Sequence, residues 1–273
     1  MKKTIFLAFV FPMILHFGYA AAQAGWEAGT VVRFDTNVNR SIDGGKSDGF
    51  LVGHLGFART PTGERRWGVT MSATLEGAAY AKISDLDYVA VTGSPGIVFV
   101  PHALWTVAVT PFLQAKGVRD ADQSAIAFGG RVGIEERIWR NFYLGQYYVY
   151  TDSRAHIDTF SFSEHSLGAY AGLVATRALT VELGYEITRG DSFRVVGTSA
   201  SSTLGPGMHQ HFSSAFGTDV VREEVDSHAV SVSVSKEWAR DLFSRAGYTF
   251  TNMNGDLGTS TIHAGYFGLG YRF

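Results

Sequence analysis

Histidine and serine stand close together at three places in the chain, and such pairs are the first candidates for catalysis. The pairs are His165 with Ser166, His228 with Ser231, and His211 with Ser213. A serine hydrolase needs a base within hydrogen-bond reach of its nucleophile, and side chains two residues apart share one face of a strand. Only the pair in "HFS" has that spacing, and no acidic or amide partner can be assigned to it. The sequence therefore favours a protein that is not an enzyme and leaves a lipid hydrolase as an alternative.

The segment "MHQHF" holds His209 and His211, which are the candidates for metal ligands. A metal site needs three or four ligands with a shaped shell around them. The preceding "GTSASSTLGPG" (197–207) is rich in glycine and serine, which is typical of a polar loop. No phosphate-binding loop, dinucleotide fingerprint or cysteine-based metal motif is present. We expect no metal and no cofactor.

The first 24 residues predict a secretory signal peptide. Lys2 and Lys3 are followed by the apolar stretch "TIFLAFVFPMIL" and by "AQA" at 22–24, so cleavage is expected after Ala24. The 273 residues include no cysteine, and the formal net charge is −2. These values exclude a disulfide framework, and the lack of a basic stripe argues against binding of nucleic acid. The mature chain, 25–273, is expected to be a single domain.

The recurrent pattern in that domain has a period of two residues, which indicates β-strands. In 67–82 one face carries Trp67, Val69 and Met71, whereas the other carries small and polar residues such as Thr70. The pattern predicts about twelve strands, with ten or fourteen as alternatives. Their expected bounds are 25–38, 47–59, 66–81, 84–100, 102–116, 123–138, 141–152, 161–177, 178–191, 222–238, 240–252 and 260–273.

The connections between these strands alternate in length. Short ones such as "WRN" (139–141) and "ATRA" (175–178) alternate with longer or more polar ones such as 38–47 and 252–260. The longest connection is expected at about 190–221. Transmembrane barrels have short periplasmic turns and longer extracellular loops, so we predict an all-β, antiparallel, up-and-down transmembrane barrel with a long extracellular loop.

Aromatic residues near the strand ends distinguish this barrel from a soluble β-sandwich. Such residues form girdles at the two membrane interfaces of a barrel, and a soluble sheet has no need of them. The residues concerned are Trp67, Trp105, Trp139, Trp238, Tyr271 and Phe273.

The signal peptide, the alternating strands and the terminal "YFGLGYRF" together resemble a Gram-negative outer-membrane β-barrel protein. In that class the last strand ends in phenylalanine with apolar residues at alternating positions before it, here Phe267, Leu269, Tyr271 and Phe273. The resemblance implies that this segment is recognised by the barrel-assembly machinery. It also implies a location in the outer membrane, in contact with its lipid and lipopolysaccharide. It covers the mature chain as a class and identifies no family.

The face opposite the apolar one is expected to line the lumen. Its predicted charges are Glu27, Arg33, Asp35, Glu76, Lys82, Lys116, Arg131, Glu135, Arg137, Glu182, Glu186, Glu237, Arg245 and Arg272. Seven are acidic and seven are basic. This balance favours a narrow, weakly selective channel for small polar solutes. The alternative is a structural or adhesion-type barrel in which the charges pair across the lumen and the surface loops carry the function.

The ten lumen charges most expected to line or gate a pore are Arg33, Asp35, Glu76, Lys116, Arg131, Glu135, Arg137, Glu182, Glu186 and Arg245. Inward glycines, among them Gly29, Gly129, Gly184 and Gly270, are expected to leave room for a water path or to let the strands curl tightly.

Overall fold

The computed structural model describes residues 24–42, 44–61, 66–196, 210–213 and 215–273. Residues 1–23, which hold nearly all of the predicted signal peptide, and His209 lie outside these ranges. Across the described ranges no helix is long and apolar enough to cross a membrane.

Within the described ranges the chain forms thirteen strands, twelve of which close a barrel. Alternation of apolar and small or polar residues suits a sheet whose two faces meet different surroundings. The strands are β1 (Ala24–Asp35), β2 (Asp48–Arg59), β3 (Trp67–Tyr80), β4 (Tyr88–His102), β5 (Trp105–Val118), β6 (Ala125–Trp139), β7 (Phe142–Ala155), β8 (Phe162–Thr176), β9 (Leu179–Val195), β10 (Gln210–Ser213), β11 (Thr218–Glu237), β12 (Leu242–Gly255) and β13 (Gly258–Arg272). Three short 3₁₀ turns, 84–86, 121–123 and 158–160, lie in the connections.

Every strand of the barrel is antiparallel to its neighbours. Consecutive strands pair from β1 to β9, β9 pairs with β11, and β13 pairs with β1 to close the sheet. The short β10 pairs with the beginning of β11, and it is not one of the twelve strands that close the barrel. The prediction of an all-β, up-and-down barrel of about twelve strands is confirmed.

Two extracellular connections, β9–β11 and β12–β13, are shorter than the sequence predicts, because their strands pair beyond their most regular segments. β9 and β11 remain paired as far as Val195 and Val220, so their connection is 196–217 rather than 190–221. The predicted loop at 252–260 is strand except for Asp256 and Leu257, since Gly255 pairs with Gly258. We call this end of the barrel the extracellular end. The opposite end, which holds the other turns, the start of β1 and the end of β13, is called the periplasmic end.

The outer surface of the barrel is apolar and ends in tryptophan at the periplasmic side. All five tryptophans lie at that end, because they belong to strand ends or to the β11–β12 turn: Trp26, Trp67, Trp105, Trp139 and Trp238. Their side chains are 40–66% exposed. Tyr271 and Phe273 are exposed beside them. Such a surface is stable only against lipid, since it would expose a large apolar area to water.

A small apolar core lies across the extracellular end. Its buried side chains come from connections on opposite sides of the barrel and from the ends of β9 and β11: Val38, Leu86, Phe160, Phe193, Val195, Phe216 and Val220. Leu86 belongs to the β3–β4 connection and Phe160 to the β7–β8 connection. We call this cluster the mouth cluster, because a cluster that includes side chains from both loops must extend over the lumen.

The ladder between β4 and β5 is interrupted at mid-strand by two prolines. Pairing stops after Gly93 and resumes at Ile97 in the same register, which places Pro95 opposite Pro111. Proline has no backbone N–H to donate, and two facing prolines in a hydrogen-bonded pair remove both bonds. The Ser94 hydroxyl donates instead to the carbonyl of Pro111 at 2.8 Å. The barrel wall therefore has a weak point at half its height.

Candidate functional site

The lumen is the candidate site, because alternation along the strands directs most of the predicted charges into it. All ten predicted pore residues occupy inward positions: Arg33 and Asp35 on β1, Glu76 on β3, Lys116 on β5, Arg131, Glu135 and Arg137 on β6, Glu182 and Glu186 on β9, and Arg245 on β12. The prediction for Lys82 is wrong. This residue follows the end of β3, and its Nζ donates to the carbonyl of Ser47 in the β1–β2 loop.

Three tyrosines cross the inner wall to reach glutamates two strands away. Tyr143 and Tyr147 on β7 donate to Glu182 and Glu186 on β9 at 2.5 and 2.8 Å. On the way each ring lies over a glycine of β8, because Gly172 and Gly168 pair with both partners. We call these arrangements Tyr–Gly–Glu rows.

A third row runs in the opposite direction. Tyr170 on β8 lies over Gly145 on β7 and donates to Glu135 on β6 at 3.1 Å. A side chain at the glycine position would overlap the tyrosine ring in each row. The glycines therefore make space for aromatic rings, and an aromatic ring covering a cross-strand glycine also protects the backbone there.

Several of the other inward glycines are covered in the same way. An added Cβ at Gly29 would collide with the His54 ring, and one at Gly129 with the Phe112 ring. Gly270 lies under Phe243. The room that these glycines were expected to leave for water is thus filled by rings, whereas Gly184 faces Ser231 and stays at the edge of a cavity.

Two lumen cations rest on the faces of tyrosines that bind glutamates. Nζ of Lys116 lies 3.9 Å from the ring centroid of Tyr88, whose hydroxyl donates to Glu76. The guanidinium of Arg131 lies 4.2 Å from the ring centroid of Tyr147. Cation–π contacts gain strength when they are shielded from water. Cation, tyrosine ring and carboxylate thus form two chains, which end at Glu76 and at Glu186.

Direct ion pairs collect near the periplasmic end of β1, β2, β12 and β13. Glu27 lies near two arginines and one histidine, with Nε2 of His54 and Nε of Arg272 both at 3.5 Å and Nη1 of Arg245 at 3.8 Å. Arg272 also pairs with Glu237 at 3.0 Å. These charges are partly exposed to the lumen, so their stabilising effect is modest.

A cavity of about 160 Å³ lies between the Tyr–Gly–Glu rows and the wall formed by β11 and β12. Hydroxyl groups line its β11–β12 side, and the glutamates of two rows line the other: Ser227, Ser231, Ser233, Thr249, Thr251, Glu182 and Glu186. Small side chains on β11 leave this half of the lumen unfilled, whereas aromatic rings fill the other half. The space thus has hydroxyl and carboxylate groups on its wall, together with apolar surface, and its volume could hold a small solute.

Arg40 lies at the extracellular side of this cavity. It belongs to the β1–β2 loop, which folds inward, and its φ of 48° is unusual for a residue other than glycine. Its Nη1 donates to Oγ of Ser192 at 2.5 Å, and its guanidinium lies 5.3 Å from the ring centroid of Phe193. Burial lowers the pKa of the Arg40 guanidinium to about 10, against the opposing effect of the nearby Glu164 carboxylate. It remains charged at neutral pH and puts one positive charge at the top of the cavity.

The histidine–serine spacing at 211–213 lies on β10, at the extracellular end of the barrel. Oγ of Ser213 accepts the backbone N–H of Phe216 at 3.2 Å, and the His211 ring packs edge-on against Phe160. In the part of the chain that the structure describes, no group of three or more His, Asp or Glu side chains is arranged to hold a metal ion.

The tyrosines are the lumen residues that sequence reasoning missed. The period-two pattern puts Tyr143, Tyr147 and Tyr170 on the inward face, but aromatic residues were expected only in the membrane girdle. A signal was present: inward tyrosines alternate with inward glycines along β7 and β8. An aromatic residue and a glycine at alternate inward positions of adjacent strands predict such covering.

The closed antiparallel barrel, its lipid-compatible outer face and its polar lumen define the class of protein: it is an outer-membrane β-barrel. No protein-family model and no curated protein matches the sequence. Among solved structures, the barrel is similar to an outer membrane channel from Pseudomonas putida F1, with a TM-score of 0.60 and 10% identity over 94% of this chain and 98% of that one. It is also similar to the KdgM porin in complex with disordered oligogalacturonate, with a TM-score of 0.51 and 9% identity over 90% of this chain and 99% of that one. At such identities the similarity shows the fold.

Proposed function

We propose that this protein is a narrow, weakly selective channel that passes small polar solutes across the outer membrane. The observation that carries the proposal is a cavity with hydroxyl and carboxylate groups on its wall inside a closed barrel. A purely structural barrel gains nothing from a cavity, because unfilled space forfeits packing contacts. Both structures described above as similar are named as a channel or a porin, which agrees with this role.

The charges around the cavity determine whether the proposed channel prefers cations or anions. The ionisable residues of its lining, apart from tyrosine, are Arg40, Glu164, Glu182, Glu186 and Asp191. Arg222 neutralises Asp191 at 2.5 Å, and Arg40 lies near Glu164. Glu182 and Glu186 accept hydrogen bonds from tyrosine hydroxyls, which are neutral donors and supply no opposing charge. We therefore infer a weak preference for cations over anions.

Single-channel recording in a planar bilayer tests this proposal. The mature protein should give steady openings whose conductance rises with salt, and a salt gradient should give a reversal potential of the cation-selective sign. Replacing both cavity glutamates, Glu182→Gln and Glu186→Gln, should move that potential toward zero, since each amide still accepts the tyrosine hydroxyl but carries no charge. The matched control is Glu136→Gln, which removes a carboxylate from an outward position of β6 and should leave the potential unchanged.

The mouth cluster requires a second variant, because a closed extracellular end would silence the wild-type barrel. Leu86→Ser places a hydroxyl in a side chain position that is 2% exposed and should loosen the cluster, increasing the frequency of opening. If both wild type and Leu86→Ser are silent although a heat-modifiable gel band shows folded barrel, the channel proposal is wrong. The barrel would then act through its extracellular loops, as the structural or adhesion-type alternative holds.

A further inference from the structure

Three tyrosine–histidine pairs repeat on the outer face of the barrel. Tyr148 bonds Nδ1 of His165 at 2.6 Å across β7 and β8. Tyr185 bonds Nδ1 of His228 at 2.8 Å across β9 and β11, and Tyr248 bonds Nδ1 of His263 at 2.6 Å across β12 and β13. All six side chains are exposed. We call this set the Tyr–His belt.

The three pairs are equivalent in geometry and in height. Each tyrosine is the seventh residue of its strand, and each histidine pairs with the ninth. For strands tilted by about 40° this puts the histidines ~20 Å above the periplasmic strand ends, near the upper edge of an apolar band ~25 Å tall. The belt therefore lies at the outer-leaflet interface, opposite the tryptophans.

Each imidazole of the belt has one ring nitrogen that the tyrosine hydroxyl does not bind. Nδ1 is engaged by tyrosine, and within the described ranges Nε2 of these histidines has no protein partner. A ring N–H at this depth needs an acceptor, because an unpaired polar group next to hydrocarbon is costly. When tyrosine donates to Nδ1, Nε2 carries the proton and donates outward.

The belt covers only half of the circumference. Above it on β9 and β11 the outward residues are charged, since Arg189 pairs with Glu224 at 2.8 Å and Asp226 at 3.8 Å. Arg189 also lies directly across from His165 in the β8–β9 ladder. On the β1–β6 half, apolar outward residues continue to the extracellular ends, as Phe34 does on β1.

We propose that the Tyr–His belt binds the phosphorylated headgroups of lipopolysaccharide in the outer leaflet. Phosphate oxygens are the strongest acceptors in the headgroup layer, and the three imidazole N–H donors form a row that suits a phosphorylated sugar headgroup. Arg189 is paired with Glu224 and Asp226, so the histidines provide the specific contacts. The proposal concerns the outer wall and does not depend on passage through the lumen.

The test uses the full mature barrel reconstituted in nanodiscs that contain bisphosphorylated lipid A or its dephosphorylated form. Native mass spectrometry counts the lipid A molecules retained per barrel. Wild type should retain the bisphosphorylated form and not the dephosphorylated one. The triple variant His165→Phe, His228→Phe and His263→Phe keeps interfacial aromatic rings but loses the N–H donors, and retention should fall by at least about tenfold for three lost hydrogen bonds.

Two further variants separate a specific role from a general one. Replacing the same three histidines by glutamine restores an N–H donor at each site and should recover part of the retention. His102→Phe changes an exposed histidine at the periplasmic end of β4 and should leave retention unchanged. The proposal is overturned if the phenylalanine triple variant retains lipid A as wild type does, or if wild type retains both lipid forms equally.

Discussion

The two facing prolines of β4 and β5 allow a sharp test of how the barrel wall is held together. Pro95 and Pro111 stand opposite each other where ladder pairing is lost at three successive positions. Only a hydrogen-bonded pair gives that result, because in a non-hydrogen-bonded pair the neighbouring residues would supply the bonds. The Ser94 hydroxyl therefore replaces the N–H that Pro95 lacks.

Removing that hydroxyl should cost little but measurable stability. Ser94→Ala leaves the carbonyl of Pro111 without its donor at 2.8 Å. A typical internal hydrogen bond contributes about 1 kcal/mol net, and a fully buried unpaired acceptor costs about 1–3 kcal/mol. Because the serine faces the lumen, where water can partly replace it, we expect a loss of about 1 kcal/mol in the free energy of unfolding.

Ser94→Ala is most informative when it is combined with the replacement of Pro95 or of Pro111. Pro95→Val supplies a backbone N–H to the carbonyl of Pro111, so Ser94→Ala should then cost nearly nothing. Pro111→Val supplies an N–H to the other carbonyl, that of Pro95, and should leave the cost of Ser94→Ala intact. Each proline replacement alone is uninformative, because the regained bond is offset by about 0.4–1 kcal/mol of added freedom in the unfolded chain.

Equilibrium urea unfolding of the barrel in lipid vesicles measures these energies, with the tryptophans of the periplasmic end as fluorescent reporters. The difference between the cost of Ser94→Ala in wild type and in the Pro95→Val background should be about 1 kcal/mol. The same cost in both proline backgrounds would refute the reasoning, since the serine would then not be substituting for the missing amide.

Three further outcomes follow from the structure. Gly168→Ala should destabilise the barrel by about 1–3 kcal/mol in the same unfolding assay, because the new methyl group would overlap the ring of Tyr147. The control Gly53→Ala has open space around the added methyl group, and its free energy of unfolding should stay within about 0.5 kcal/mol of that of wild type. Arg40→Met removes the positive charge above the cavity, so the reversal potential should shift further toward the cation value; a shift toward anions would contradict the assigned position of that charge. If the barrel-assembly machinery recognises the last strand, Phe273→Ala should reduce folded barrel in cell envelopes several-fold while the purified protein refolds in vesicles as wild type does, and equal loss in both settings would point to stability instead.

The sequence by itself determined the strands and the two faces of the barrel. Side chains alternate across a strand with a period of two whatever the strand pairs with, so Thr70 and Val69 can be assigned to opposite faces before any neighbour is known. The aromatic residues at the strand ends are likewise a local signal. For this reason the twelve barrel strands and the inward position of residues such as Glu182 were predictable.

Only the tertiary structure decided which inward residues meet. A Tyr–Gly–Glu row joins Tyr147, Gly168 and Glu186 from three strands, and its existence depends on the register between those strands. Register and shear are properties of the closed sheet, which no single strand records. The mouth cluster also depends on the tertiary structure, because its loops are distant in sequence and pack together over the lumen. The Tyr–His belt depends on it as well, since each tyrosine meets its histidine only because the three pairs of strands share the same register.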